Sequence, residues 1–211
     1  MAENLVDFQK RLSERLEMAE REKRPPARLG FSCCGQSWLI ELASLREARA
    51  APSAGQMVAL RMVKPWIRGC ASLGGRALTL IDLQAFMGGG FSQLGEEARA
   101  LELAERFDAG CALLVESVAG LIRFEGLSPL GSEQAREDAL RAASEPWGAW
   151  SAGSMADAEG RIWRLLDLGK ILDSSDFWRA WEGADASPRA ASALAAPGAA
   201  AGSAGGLSQG G

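Results

Sequence analysis

The sequence of 211 residues contains no histidine and no tyrosine. Histidine is the usual general base near neutral pH and a frequent metal ligand, so its absence argues against Ser-His-Asp and Cys-His catalytic sites. Glycine-rich nucleotide-binding motifs are missing too, since the pair Gly169–Lys170 is followed by Ile171 and not by serine or threonine. The sequence therefore predicts no catalytic residue, no cofactor and no metal site.

The chain has few cysteines, and their spacing does not match that of a metal site. Cys33, Cys34, Cys70 and Cys111 form neither a Cys-x-x-Cys pair nor a zinc framework, and two adjacent cysteines rarely form a disulfide. We predict reduced, mostly buried thiols.

Excess positive charge is also lacking. The chain has 23 Lys and Arg against 27 Asp and Glu, a net charge of −4. Proteins that neutralise phosphates need the opposite balance, so we expect no nucleic-acid partner.

Long hydrophobic runs are absent. Residues 1–12 carry Glu3, Asp7, Lys10 and Arg11 and have no apolar signal-peptide core. No segment reaches the roughly eighteen apolar residues of a membrane span. We expect a cytoplasmic protein without direct membrane insertion.

The two ends of the chain differ from its middle. Residues 1–24 place Leu5, Phe8, Leu12 and Leu16 at helical spacing among charged residues, which predicts an amphipathic helix that ends at Pro25–Pro26. Residues 183–211 are rich in alanine, glycine and serine and predict a disordered tail.

Between these ends, short alternating runs separated by glycine turns predict β-strands, with a hairpin at Gly74–Gly75. Residues 92–105 are ambiguous, because their composition favours a helix while Ala100–Glu105 partly alternates with period two. Ser132–Ala143 predicts a short helix capped by Ser132, and Asp167–Ser174 a closing helix capped by Asp167.

The stretch Met62–Gly88 resembles the central signature of the CheW-like domain, the adaptor of bacterial chemosensory arrays. The resemblance covers about residues 28–175 in the family's order. It is carried by Pro65–Trp66, Ile67–Gly69, Ser72–Gly75 and Thr79–Leu83, with Ser37–Leu42 upstream and Leu113–Val118 and Gly160–Leu168 downstream. Lys64–Trp66 and Trp163 look most like a PilI-like subfamily, which serves arrays that regulate type IV pili and twitching motility.

The resemblance implies a mainly β fold of two five-stranded, SH3-like barrels packed together, mostly antiparallel. An N-terminal amphipathic helix and a short C-terminal helix complete it. The implied CheW-like domain spans residues 28–182, and the second half of residues 92–105 becomes a strand.

The function implied by the resemblance is a non-enzymatic adaptor. It would link the cytoplasmic tip of methyl-accepting chemoreceptors to the regulatory domain of a CheA-type histidine kinase. Such a protein would be recruited to membrane-associated arrays.

The resemblance also implies a partner interface. Its candidate residues are Glu47, Arg68, Gly69, Gly74, Gly75, Arg76, Asp82, Val115, Val118 and Leu121. The last three would line a receptor groove between the barrels. Relatives usually carry arginine at the position of Gly74, and here Arg76 lies across the turn.

Several of these residues also have purely structural interpretations. An exposed glutamate such as Glu47 is usually only solvated. Asp82 is equally suited to cap the following turn, and Gly69 and Gly75 suit special backbone geometry. Alternation makes some of the β-strand valines core residues.

Two other functions fit the sequence. Small β-barrels that bind a ligand or oligonucleotide also consist of short strands and glycine turns. A CheW-like protein that has lost one partner interface is the second alternative, because of Gly74.

Overall fold

The computed structural model describes residues 27–179. The predicted helix at residues 1–24 and the predicted tail at residues 183–211 lie outside the described residues. None of the helices in residues 27–179 has the length and hydrophobicity of a membrane span.

Residues 27–179 form eleven strands and four α-helices. The strands are β1 (Arg28–Cys33), β2 (Gln36–Glu41), β3 (Leu45–Ala50), β4 (Ile67–Leu73), β5 (Arg76–Asp82), β6 (Arg99–Leu103), β7 (Cys111–Val115), β8 (Ser117–Ile122), β9 (Ser128–Pro129), β10 (Ser151–Ala156) and β11 (Ile162–Leu166). The helices are α1 (Leu83–Phe86), α2 (Ser132–Ser144), α3 (Leu168–Asp173) and α4 (Ser175–Arg179). Short 3-10 turns lie at Leu42–Ser44, Ala54–Gln56, Glu105–Phe107, Phe124–Gly126 and Pro146–Trp150.

The strands form two mixed sheets. The first has the order β8-β1-β2-β11-β10-β9 and the second the order β3-β6-β7-β5-β4. Each described sheet combines antiparallel pairs with one parallel pair, β2 with β11 and β5 with β7. The prediction of five strands in each of two barrels matches the number of strands in the second sheet. The first has a sixth strand, because the two-residue β9 pairs with the end of β10.

The largest core lies where the two sheets meet. Phe31 and Trp38 of the first sheet and Leu101 and Leu113 of the second are fully buried in one cluster. Trp38 keeps its indole N–H satisfied by donating to the carbonyl oxygen of Cys33 at 3.0 Å. Separate apolar clusters cover the other face of each sheet, around Leu80 and around Trp163. Both sheets therefore depend on one shared core.

The ambiguous stretch at residues 92–105 contains a strand, as predicted for its second half. Strand β6 is hydrogen-bonded to β3 on one side and to β7 on the other, and Leu101 is fully buried. Pairing on both sides outweighs a helix propensity of about 0.5 kcal/mol per residue.

The two helices predicted from the sequence, at Ser132–Ala143 and Asp167–Ser174, are both present, but one of them has a different N-cap residue. Asp167 caps α3 as predicted, accepting a hydrogen bond from the backbone N–H of Lys170 at 3.0 Å. The cap predicted at Ser132 is wrong, because Gly131 occupies the cap position of α2 and makes no side-chain hydrogen bond. Ser132 is instead the first helical residue.

Candidate partner-binding surface

The predicted interface residues fall into three groups in the fold. Glu47, Gly74, Gly75 and Arg76 meet around the turn between β4 and β5. Arg68, Gly69 and Asp82 lie at the other end of that hairpin. Val115, Val118 and Leu121 lie on β7 and β8. The structure therefore joins the first group but does not bring all ten residues into one site.

The β4–β5 turn has backbone angles that suit glycine. Gly74 and Gly75 have φ values of +57° and +78°, a region that side chains disfavour. A Cβ atom at Gly74 would lie 2.6 Å from Nη2 of Arg49, whereas one at Gly75 would meet nothing within 4 Å. The guanidinium of Arg49 thus occupies the space that the missing side chain of Gly74 leaves open.

Arg49 is held over this turn by Glu47. Both residues belong to β3, two positions apart, so their side chains share one face of the strand. Nη2 of Arg49 lies 2.5 Å from Oε2 of Glu47, and both side chains stay about two-fifths exposed. Gly74 follows β4, and β3 and β4 are at opposite ends of the strand order, so the approach of Arg49 to Gly74 shows that the second sheet is strongly curled.

Next to this pair lies a cluster of two arginines and two glutamates. Nη1 of Arg76 donates to Oε1 of Glu105 at 2.5 Å, and Arg46 contacts the same oxygen. The buried Glu102 lies 3.2 Å from Nε of Arg76 and 3.6 Å from Nε of Arg46. The hydrogen bond from Arg76, with the charge of Arg46, lowers the pKa of the exposed Glu105. The carboxylates fix two arginine side chains at the surface in defined positions.

Asp82, at the base of the hairpin, has no exposed surface. Its Oδ1 accepts from the N–H of Ala85 at 3.1 Å and its Oδ2 from the N–H of Ser92 at 3.0 Å. Arg68 lies 3.6 Å from the same carboxylate and over the ring of Phe91. Of the two roles considered for Asp82, the geometry shows the capping role. The same carboxylate also positions Arg68.

Gly69 permits a close approach of two backbone segments. Its φ is +131°, and an added Cβ would lie 2.4 Å from the carbonyl oxygen of Val58. Val58 and Cys70 exchange two backbone hydrogen bonds, of 2.7 and 2.8 Å, at that place. The absence of a side chain at Gly69 therefore allows the loop before β4 to pack and hydrogen-bond against the β4–β5 hairpin.

The third group changes from buried to exposed along the chain. Val115 is 1% exposed and belongs to the shared core, and Val118 is partly buried. Leu121, on the edge strand β8, is 62% exposed. Leu121 is thus the residue of this group whose apolar side chain is mostly exposed.

The sequence interpretation missed Arg46, Arg49, Glu102 and Glu105. The alternation of charged residues along β3 was the available signal for Arg49, because it places Glu47 and Arg49 on one face. The contact of Arg49 with Gly74 depends on curling of the sheet and has no local sequence signal.

The model of the CheW-like domain family matches residues 28–176 of this chain, the part that forms both sheets. The chain belongs to the CheW-like domain family. Protein PilI of Pseudomonas aeruginosa is 27% identical over 168 residues, which cover 74% of this chain and 91% of that protein. The crystal structure of the scaffolding protein TtCheW from Thermoanaerobacter tengcongensis matches this CheW-like domain with a TM-score of 0.51 at 14% identity. That match covers 72% of this chain and 90% of the other, and it supports the fold.

Proposed function

We propose that this CheW-like protein is a non-enzymatic adaptor that couples methyl-accepting chemoreceptors to a CheA-type histidine kinase. Membership in the CheW-like domain family over residues 28–176 is the observation that carries the proposal. The similarity to PilI favours an array that controls type IV pili and twitching motility.

The surface around the β4–β5 turn is assigned to the regulatory domain of the kinase. It presents Arg49 with Glu47 and Arg76 with Glu105 in fixed, half-exposed positions. Charged groups that are already ordered steer association and cost less entropy on binding than free side chains. Arg49 supplies a cation beside Gly74, the position at which relatives usually carry arginine.

The apolar edge at β8 is assigned to the receptor tip. Val118 and Leu121 lie on an edge strand of the first sheet, and Val118 packs against the shared core. Exposed apolar side chains on a sheet edge are suited to binding another chain. The two partners then use separate surfaces, as an adaptor requires.

Calorimetric titration of the full chain tests both assignments. The titrants are the regulatory domain of the kinase and the cytoplasmic tip of the receptor from the same organism. We expect Arg49→Ala to weaken kinase binding by about tenfold and to leave receptor binding unchanged. Leu121→Asp should show the opposite pattern.

Matched controls are Arg136→Ala and Leu140→Asp, because both residues are exposed on α2, away from the two surfaces. Neither control should change either affinity. A folded wild-type chain that binds neither partner would contradict the proposed function. Loss of both affinities in each test variant would contradict the assignment of separate surfaces.

Gly74 favours a second candidate, a CheW-like protein that has lost one partner interface. In that case one partner binds the wild-type chain and the other does not. The same titrations separate this outcome from the adaptor function.

A further inference from the structure

Three large apolar side chains are exposed around the first described residue. Leu121 of β8 is 62% exposed, Phe124 is 39% exposed and Leu42 is 38% exposed. We call these three residues the Ala27 patch.

The hydrogen bonds and strand pairings place the patch around Ala27. The backbone N–H of Leu42 donates to the carbonyl oxygen of Ala27 at 2.9 Å. On the other side of β1, Leu121 pairs with Leu29, and the guanidinium of Arg28 lies 5.9 Å from the ring centre of Phe124. The chain therefore enters β1 between Leu42 and the edge strand β8.

Leu121 extends the apolar surface of the shared core outward. Directly paired residues of neighbouring strands place their side chains on the same face of a sheet. Leu29, its partner, is 7% exposed and belongs to the shared core. Another apolar side chain placed over Leu121 would continue that core.

The segment that leads into Ala27 has a matching face. Leu5, Phe8, Leu12 and Leu16 share one side at helical spacing, and charged residues occupy the other. Residues 24–26, including Pro25–Pro26, leave a connection of about 10 Å at roughly 3.3 Å per residue. A helix over residues 4–23 would be about 30 Å long, and its C-terminal end would lie next to the patch.

The remaining exposed large apolar residues of the described part lie elsewhere in the fold. Val58, Met62 and Phe91 lie in loops around the second sheet, Leu140 lies in α2 and Trp178 in α4. None of these described residues lies in β2 or β8, which flank the start of β1, or in the 3-10 turns that follow those two strands.

We infer that residues 4–23 dock their apolar stripe on the Ala27 patch of the same chain. The inference rests on the placement of Ala27 and the stripe, and it does not depend on the proposed function.

Photo-crosslinking of the full chain tests this inference. Leu121→p-benzoylphenylalanine and Leu42→p-benzoylphenylalanine place a photoreactive group at two exposed sites of the patch. After irradiation and proteolysis, mass spectrometry should identify cross-links to peptides from residues 1–24. The cross-links should be lost when Phe8→Ser and Leu12→Ser are added and retained with Glu14→Ser, which changes the opposite face.

An equal mixture of unlabelled and 15N-labelled chains identifies which chain supplies the segment. Cross-linked peptides of one isotope support docking within the chain, whereas mixed-isotope pairs would overturn it in favour of a second copy. The same probe at Leu140, 73% exposed, is the control site. Equal cross-linking from Leu140, or no cross-link from either patch position, would also overturn the inference.

Discussion

At the scale of single residues, the β4–β5 turn combines a backbone requirement with a side-chain position. Gly74 needs no strain to adopt a positive φ, and its lack of a Cβ admits the guanidinium of Arg49. Gly75 has the same sign of φ but open space beside it. A comparison of the same substitution at Gly74 and at Gly75 therefore separates its effect on the backbone from its effect on Arg49.

Gly74→Ala is expected to weaken kinase binding, because the new methyl group displaces Arg49 from Glu47. Both Gly74→Ala and Gly75→Ala should lower the free energy of unfolding by about 1 kcal/mol, the cost of a side chain at positive φ. The kinase affinity should fall for Gly74→Ala only. Calorimetric titration and urea unfolding of the two variants provide the measurements.

Combination with Arg49→Ala supplies the control. Once Arg49 is absent, Gly74→Ala has nothing left to displace, so the double variant should bind the kinase as weakly as Arg49→Ala alone. Additive losses, or an equal loss of affinity in Gly75→Ala, would contradict a role for Arg49 through this contact.

At the scale of secondary-structure elements, the β4–β5 hairpin and one of the two predicted helix caps were predictable because their signals are local, whereas the cap predicted at Ser132 was wrong by one residue. The Gly74–Gly75 turn and the Asp167 cap each depend on a few neighbouring residues, and both predictions are confirmed. Strand β6 was assigned through the family resemblance, because its composition favours a helix and its pairing partners are distant in sequence. The placement of Arg49 depends on curling of a whole sheet, for which no local pattern exists.

Helix α2 is joined to the first sheet by a buried ion pair. Nη2 of Arg164 in β11 lies 2.5 Å from Oδ1 of Asp138 in α2, and Ser154 donates to the other carboxylate oxygen at 2.6 Å. The guanidinium also lies 4.4 Å from the ring centre of Trp147. Burial lowers the pKa of Arg164, so Asp138 is the charge that keeps the buried cation favourable.

Asp138→Ala is expected to lower the free energy of unfolding by about 3 kcal/mol, because it leaves a buried cation without a counter-charge. Glu137→Ala, at the exposed neighbouring position of the same helix, should change it by less than about 0.5 kcal/mol. Urea unfolding followed by tryptophan fluorescence measures both. A similar small loss in the two variants would show that the pair contributes little to holding α2 on the sheet.

At the scale of the whole molecule, the two sheets are stabilised together. Each contributes fully buried residues to the shared core, so neither can lose its packing without exposing apolar surface of the other. We therefore expect residues 27–179 to unfold in one cooperative transition. A segment that docks at the edge of the shared core should unfold in the same transition.

Deletion of residues 1–24 is expected to lower the melting temperature, because it removes the stripe from the Ala27 patch. A docking contribution of about 2 kcal/mol corresponds to a shift of about 4–8 °C for a protein of this size. Differential scanning calorimetry of the full and shortened chains measures the shift. Glu14→Ser should leave it nearly unchanged, and an unaltered melting temperature on deletion would contradict docking.

Receptor binding provides a second readout of the same deletion. Leu121 belongs both to the Ala27 patch and to the surface assigned to the receptor, so the segment and the receptor tip would compete for it. If the receptor binds only the state in which the segment has left Leu121, its apparent affinity is reduced in proportion to the fraction of chains in that state. Deletion should therefore raise receptor affinity and leave kinase affinity unchanged. Only this second readout rests on the proposed function. A lower melting temperature with unchanged receptor affinity would therefore support docking while showing that the receptor binds elsewhere than at Leu121.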